Sequence, residues 1–203
     1  MSHHDHAGAK KAAGSCGCAC AHQHPVDVLS AEHQTILAVL GAMANEQRHL
    51  LAGGSVRTAF WNPALEFLEQ YADRCHHGKE ELALFVELER AGLPPTHGPT
   101  VCMRNEHELG RQGRRAMLDA LHARDGSGLA VAVGAYVELL RDHIEKEDQV
   151  LFPMAKSMLD EAAVARLRTA FARVEHHDMG EGAHARYEEL ARHLAAEGAA
   201  TTR

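Results

Sequence analysis

Apolar side chains recur every three or four residues along most of the chain, which is the spacing that lines one face of an α-helix. On the first such segment Leu29, Ile36, Leu40 and Met43 share a face. The pattern predicts four long helices, over residues 30–52, 62–90, 100–124 and 127–159. Two shorter helices follow, one over residues 160–175 and one from a break at 179–182 to about 196. We therefore predict an all-α fold.

Local signals support several of these helix ends. Ser30 is a good N-cap for the first helix, and Asn62 followed by Pro63 suits the start of the second. Pro153 lies inside the fourth predicted helix and should bend or interrupt it. Aromatic residues make up only 4% of the chain, and Ala and Leu prevail over Val and Ile, which favours helices over a sheet.

A ten-residue stretch occurs twice, once on the second predicted helix and once on the fourth. The first copy begins at His76 and reads HHGKEELALF; the second begins at His143 and reads HIEKEDQVLF. Both share a His, a Lys, a Glu, an acidic residue, a Leu and a Phe at the same offsets. Residues four apart lie on one helical face, so each copy sets an imidazole beside Glu80 or Glu147. Two such helices facing each other would form a site for a pair of metal ions.

The other two long helices each carry one histidine on their apolar face, namely His33 and His107. A protein interior rarely tolerates this many polar groups unless they are paired or bound to metal. The four helices together therefore predict a metal site with nitrogen and oxygen ligands. Gly110 and Gly113 are poor helix formers, and we expect them to permit close packing or a slightly irregular turn near this site.

The mixture of imidazole and carboxylate limits the choice of metal. It suits iron, manganese or zinc, whereas calcium and magnesium prefer oxygen alone, and a structural zinc site usually includes thiolates. Two carboxylates that each reach both ions would bridge them and reduce the repulsion between the cations. This favours a pair of irons.

Charge and composition exclude other functions. The formal charge is -7, and Lys and Arg are interleaved with Glu and Asp, which argues against nucleic acid as a partner. No apolar run approaches the roughly 20 residues that cross a bilayer, and no secretory signal is evident, so we expect no membrane association and a cytoplasmic location. The five cysteines do not resemble a disulfide framework and are expected to remain thiols.

Seventeen histidines occur in the chain, many of them outside the predicted site. Residues 1–25 form a flexible Cys/His-rich tail in our reading, which either handles metal or is inert. Near the C-terminal break, we expect His176, His177 and His184 to lie at the surface.

The ligand pattern resembles that of the hemerythrin-like, or HHE cation-binding, family. That pattern has one His on the first helix, HxxxE on the second, one His on the third and HxxxE or HxxxxD on the fourth. The matching residues here are His33, His76, Glu80, His107, His143 and Glu147. The resemblance covers roughly residues 28–160. It implies an up-and-down four-helix bundle around two non-haem irons with an oxo or hydroxo bridge, two bridging carboxylates and commonly five histidines.

With this resemblance, the chain divides into three parts. These are the tail at 1–25, the four-helix bundle at 26–160 and a C-terminal helical extension at 161–203.

The chain departs from the oxygen-carrying hemerythrins on the third helix. They carry HxxxH there, whereas the residue four after His107 is Arg111. His77 is the best substitute for the fifth ligand, since it neighbours His76 and some family members use a ligand at that position. The second copy of the repeat has Ile144 there, so His77 is less firmly assigned than His76.

Three charged residues of the repeat have open roles. Glu81 is either a further ligand or a solvated residue near the ligands. Lys79 and Lys146 are assigned to solvent or to contacts around the ligands.

The resemblance leaves two classes of function open. One is a non-catalytic di-iron protein that binds or senses oxygen, nitric oxide or iron. The other is an oxidoreductase acting on peroxide or nitric oxide, or a repair factor that donates iron. A bundle with inert buried histidines is the third reading. Arg111 weakens the case for reversible oxygen carriage, and Tyr136, on the same helical face as His143 and seven residues before it, is placed to approach the metal.

Overall fold

The computed structural model describes residues 23–180 and 182–200, apart from the side chains of residues 177 and 178. Our predictions for residues 1–22 and for the side chain of His177 fall outside this part. All regular structure in it is helical. The α-helices are α1 (Pro25–Leu51), α2 (Thr58–Phe67), α3 (Phe85–Arg90), α4 (Pro99–His122), α5 (Gly126–Lys146), α6 (Phe152–Met158), α7 (Glu161–Arg173) and α8 (Ala183–Ala200).

Wider π-type segments connect several of these helices. Leu68–His77 and Glu80–Leu84 join α2 to α3, Glu147–Leu151 joins α5 to α6, and Val174–Met179 follows α7. The second and fourth predicted helices are thus continuous helical paths that are only partly α-helical. With α1 and α4 they form the predicted helical bundle.

Helix α1 begins at Pro25, five residues before the predicted start. The His24 ring accepts a hydrogen bond from the Val26 backbone N–H at 3.2 Å, and Pro25 occupies the first turn, where its missing N–H costs nothing. Ser30 lies inside the helix, and its hydroxyl donates to Asp148 at 3.1 Å. The prediction of an N-cap at Ser30 is therefore wrong, because the helix begins earlier at His24, an unusual N-cap.

The second bundle helix begins at Thr58, four residues before the predicted start. Phe60 and Trp61 are both fully buried, and their burial keeps this first turn helical despite Pro63 within the helix. Tertiary packing here outweighs the local preference of proline for a helix start.

The two copies of the repeat contain the same irregular turn at the same place. The backbone N–H of Phe85 bonds to the carbonyl of Glu80, and that of Phe152 bonds to the carbonyl of Glu147, each spanning five residues. The prediction of a regular α-helix is wrong here. Pro153 follows directly, and the helical path continues past it to Met158. Such turns are frequent at functional sites.

Two apolar clusters fill the bundle, with the polar residues of the repeat between them. Larger members of one cluster are Ile36, Phe60, Trp61, Tyr71, Met117 and Leu140. Larger members of the other are Leu29, Phe85, Met103, Phe152, Leu167 and Phe171. On α1, for example, His33 lies between Leu29 and Ile36. The polar layer is therefore shielded from water at both ends.

The C-terminal helices pack on the bundle rather than standing apart. Tyr187, Ala191 and Leu194 of α8 belong to the same apolar cluster as α1. Gly198 lies so close to α1 that a Cβ atom there would meet Ala42 at 2.6 Å. Helix α7 contributes Leu167 to the other cluster.

Two further expectations concern the cysteines and membrane-spanning helices. Cys75 and Cys102, the cysteines in the described residues, are free thiols, as we predicted for them. Among the described helices, none combines the length and the apolar content needed to cross a bilayer.

Helices α4 and α5 pack closely at Gly113, one of the two glycines predicted to permit this. A Cβ atom on Gly113 would lie 3.0 Å from Tyr136 Cδ2, whereas one on Gly110 would meet Leu140 Cδ2 at an ordinary 3.5 Å. The close-packing alternative is thus correct for Gly113, and α4 stays regular.

We expect Gly110→Ala to raise the free energy of unfolding by about 0.5–1 kcal/mol, because alanine is the better helix former. Gly113→Ala should gain less or lose stability, since the Tyr136 ring must shift. Denaturant unfolding of both variants tests this, and a greater gain for Gly113→Ala would contradict it.

Candidate metal centre

The structure brings all seven predicted ligands into the layer between the two apolar clusters. None of them is more than 4% exposed. They come from all four helices of the bundle: His33, His76, His77, Glu80, His107, His143 and Glu147. The geometry therefore permits them to act on one shared centre.

Glu80 and Glu147 connect the histidines of opposite helices. Glu80 Oε1 lies 3.5 Å from His76 Nε2, and its Oε2 lies 3.4 Å from His107 Nε2. Glu147 Oε2 lies 3.2 Å from Nε2 of both His33 and His143. Each carboxylate thus reaches two histidines, one on each side of the centre.

The histidines form two groups that could each hold a cation. His33 and His76 lie with Glu80 and Glu147 in one group, which we call the two-histidine half. His77, His107 and His143 lie with Glu80 in the other, the three-histidine half. Because Glu80 belongs to both groups, the halves share a bridge.

Four of the histidines are fixed from outside by carboxylates that bond their Nδ1 atoms. The pairs are His33 with Asp148 at 2.9 Å, His76 with Glu32 at 3.0 Å, His107 with Glu81 at 2.7 Å and His143 with Glu106 at 2.9 Å. An ionised carboxylate only accepts hydrogen bonds, so each Nδ1 carries the proton. The Nε2 lone pairs are then directed at the centre, as in carboxylate–histidine–metal sites.

This arrangement is unfavourable without a cation. His107 Nε2 and His143 Nε2 are only 3.1 Å apart, so their lone pairs repel unless a proton or a metal lies between them. Burial lowers the pKa of His143, but the charge of Glu147 and the hydrogen bond to Glu106 outweigh it and raise this pKa to about 9. In the metal-free protein that proton fills the role that a metal would take.

Unpaired atoms at the centre point the same way. Within the described residues, Nε2 of His33 and His76 and both carboxylate oxygens of Glu80 and Glu147 have no hydrogen-bond partner. Burial and the neighbouring charge of Glu147 raise the pKa of Glu80 well above its usual range. Buried polar atoms without partners are costly, and a bound cation would satisfy all of them. The donor set therefore fits a metal.

The contacts explain the shared lysines and acidic residues of the repeat. Lys79 Nζ pairs with Glu32, and Lys146 Nζ pairs with Glu106, so each lysine holds the carboxylate that orients its own copy's histidine. At the shared acidic position, Glu81 bonds His107 and Asp148 bonds His33. Each acidic residue thus bonds a histidine in the half opposite to its own copy's first histidine.

The shared phenylalanines stack on the histidines of the first and third bundle helices. Phe152 stacks on His33 with ring centroids 5.2 Å apart, and Phe85 stacks on His107 at 5.8 Å. In each copy the lysine thus supports the copy's own histidine through the carboxylate that it holds. The acidic residue and the phenylalanine of that copy support a histidine in the other half of the centre.

Sequence analysis missed the two carboxylates that the lysines hold. Glu32 is buried, with 3% exposure, and Glu106 is partly buried. Glu32 directly precedes His33, and Glu106 directly precedes His107. A comparison of the first and third helices would have found this shared Glu-His pair. We compared only the second and fourth.

The structure shows where His77, the candidate fifth histidine ligand, and its neighbours lie. His77 lies in the three-histidine half and stacks on His107 with centroids 3.8 Å apart. Its Nδ1 is 3.6 Å from Asp73, too far for a good hydrogen bond, so it is held less firmly than the others. Arg111 bonds Asp73 and Glu81 outside the centre. Tyr136 and His77 line the same small cavity.

One expectation for a polar residue near the centre is wrong, and another is decided between its two alternatives. His184 was expected at the surface, but its side chain is only 29% exposed and its Nε2 bonds Glu32 at 2.9 Å. Lys79 is fully buried, so its solvated alternative fails and its contact with Glu32 accounts for it. By contrast, His176 is exposed as predicted. Nothing in the local sequence around His184 indicates that α8 contacts α1.

The fold and the centre define a helical-bundle protein with a buried histidine and glutamate site for cations. Comparison with known families gives the same result, since the model of the hemerythrin HHE cation-binding domain matches residues 24–155. The chain therefore belongs to the hemerythrin HHE cation-binding domain family.

Similar proteins occur in mycobacteria. They are "Uncharacterized protein Rv1995" and "Uncharacterized protein MT2051" of Mycobacterium tuberculosis and "Uncharacterized protein Mb2018" of Mycobacterium bovis. Each is 24% identical over 163 residues, which cover 77% of this chain and 63% of the relative. The chain thus spans under two thirds of these relatives' length. No solved structure is significantly similar to it.

Metal binding should stabilise the protein, because a cation satisfies the unpaired atoms. Adding Zn²⁺ to the metal-free protein at 100 times its Kd should raise the free energy of unfolding by about 2.7 kcal/mol. His143→Ala should lose most of this gain, while His122→Ala, at the exposed end of α4, should keep it.

Thermal unfolding with and without Zn²⁺ measures the effect. Equal gains in both variants would show that the ion binds elsewhere. If His143→Ala does not fold, Glu147→Gln serves as the second variant with the same expectation.

Proposed function

We propose that the centre holds two iron ions and that the protein binds or senses a small diatomic molecule such as oxygen or nitric oxide. One observation carries this proposal: Glu80 and Glu147 each reach histidines of both halves. A carboxylate in that position would bridge two bound cations and offset their mutual repulsion. Imidazole and carboxylate donors suit iron.

The two halves differ in their histidines. The two-histidine half has His33 and His76, whereas the other has His77, His107 and His143. Glu80 belongs to both groups and Glu147 also lies 3.2 Å from His143, so with both glutamates bridging, the two-histidine half would have one protein donor fewer. The half with fewer donors leaves more room for an external ligand. When bound there, iron supplies an electron-rich site that takes small ligands and changes oxidation state.

The protein's own residues decide which ligand suits this half. Phe152 stacks on His33 and Leu29 is buried beside it, so this side of the centre excludes water. A small neutral molecule enters such a place at less cost than an ion, because an ion would lose its hydration. This favours oxygen or nitric oxide over a charged substrate.

The carboxylates around the centre keep the histidines in a fixed orientation while a ligand binds. Glu32, Glu81, Glu106 and Asp148 each hold one Nδ1 proton, so the rings keep the tautomer that leaves Nε2 for a metal. A site arranged in this way binds ligands without rearranging its side chains.

The test is iron loading without air, followed by metal analysis and optical spectra with oxygen, nitric oxide and peroxide. The full chain should hold about two irons, and so should a variant that lacks residues 1–22, because His24 is kept as the N-cap of α1. The truncation removes the Cys/His-rich segment and thus any metal that it holds.

Stable, reversible spectral changes with oxygen or nitric oxide would support a binding or sensing role. Sustained consumption of peroxide or nitric oxide would instead favour the oxidoreductase. A truncated protein that folds but holds no iron would contradict the proposal.

A further inference from the structure

The two lysines of the repeat have equivalent partners but different surroundings. Lys79 is fully buried, and its Nζ lies 2.5 Å from Glu32 and 2.6 Å from Glu175. Lys146 is 45% exposed, and its ion pair is with Glu106. The charge of Lys79 therefore acts in a dry environment, whereas water screens the charge of Lys146.

The difference comes from the C-terminal segments, outside residues 24–155. Glu175 belongs to the π-type segment Val174–Met179, and His184 belongs to α8. His184 Nε2 lies 2.9 Å from Glu32, so this carboxylate contacts Lys79, His76 and His184 together. The structure thus links two C-terminal segments to a predicted metal ligand through one carboxylate.

Each contact on Glu32 changes how strongly it attracts the Nδ1 proton of His76. A stronger attraction makes the imidazole a better electron donor to a metal. Lys79 and His184 draw charge away from Glu32 and weaken the attraction. Glu175 competes for Lys79 and partly restores it. The opposed contacts set an intermediate level of donation from His76.

We propose that Lys79, Glu175 and His184 are positioning residues through which the C-terminal segments set the reduction potential of the metal at the two-histidine half. The inference rests on the proposed function, because it needs iron at that half. It assigns the C-terminal segments a role in tuning the ion that has room for an external ligand. In the three-histidine half the equivalent lysine, Lys146, is exposed, and Cys102 Sγ also contacts Glu106 at 3.6 Å.

Redox titration of the iron-loaded full chain tests this with a matched pair of lysine variants. Lys79→Met should shift the ferric-to-ferrous equilibrium of one iron at least tenfold toward ferric, or about 59 mV for one electron. Lys146→Met should shift it much less. Mössbauer spectra, which separate unlike irons, should show one site changed by Lys79→Met.

The direction in which Glu175→Gln shifts the ferric-to-ferrous equilibrium is the decisive result. It leaves Lys79 paired with Glu32 alone, so the equilibrium should shift toward ferrous, opposite to Lys79→Met. General damage to the fold would not produce shifts of opposite sign. Should Lys79→Met not fold, His184→Phe replaces it, because it removes a contact on Glu32 at a position 29% exposed and should also favour ferric.

Equal shifts in the two lysine variants, or shifts of the same sign in Lys79→Met and Glu175→Gln, would overturn the inference. Both results presuppose about two irons per chain and leave the proposed function intact. A wild-type chain without iron would instead remove the proposed function itself.

Discussion

The structure depends on one constraint: imidazole nitrogens and carboxylate oxygens converge in a space that water does not reach. Carboxylates on the outside fix the Nδ1 protons, so the Nε2 lone pairs must face inward. Glu80 and Glu147 add carboxylate oxygens without hydrogen-bond partners at the same place. Only protons or a cation can offset this, and burial beside Glu147 already raises the pKa of Glu80 well above its usual range. The bundle therefore places costly, unpaired polar atoms where a bound metal would satisfy them.

Two copies of one short pattern solve this problem with the same contacts. In each copy a lysine holds the carboxylate that orients the histidine, and a phenylalanine covers a histidine of the opposite half. The i to i+5 turns that begin at Glu80 and Glu147 have the same position in both copies. The centre is thus a doubled unit, and the unmatched His77 gives one half an additional imidazole.

Periodicity and the repeat were sufficient to predict an all-helical fold and to select six of the residues that meet at the centre, whereas His77 was selected through the family resemblance. They could not predict contacts between distant helices, such as that of His184 with Glu32, because nothing local marks which surfaces α8 will cover. The start of α1 depended on His24, because a histidine is an unusual N-cap. No local signal marked the irregular turns that begin at Glu80 and Glu147.

The account's central claim is that Glu80 and Glu147 join two iron ions between the five histidines. Anomalous diffraction at the iron edge from crystals of the iron-loaded chain tests it most directly. We expect two peaks on either side of Glu80, one within bonding distance of Nε2 of His33 and His76 and the other near His107 and His143. One peak alone, or peaks away from both glutamates, would contradict the account.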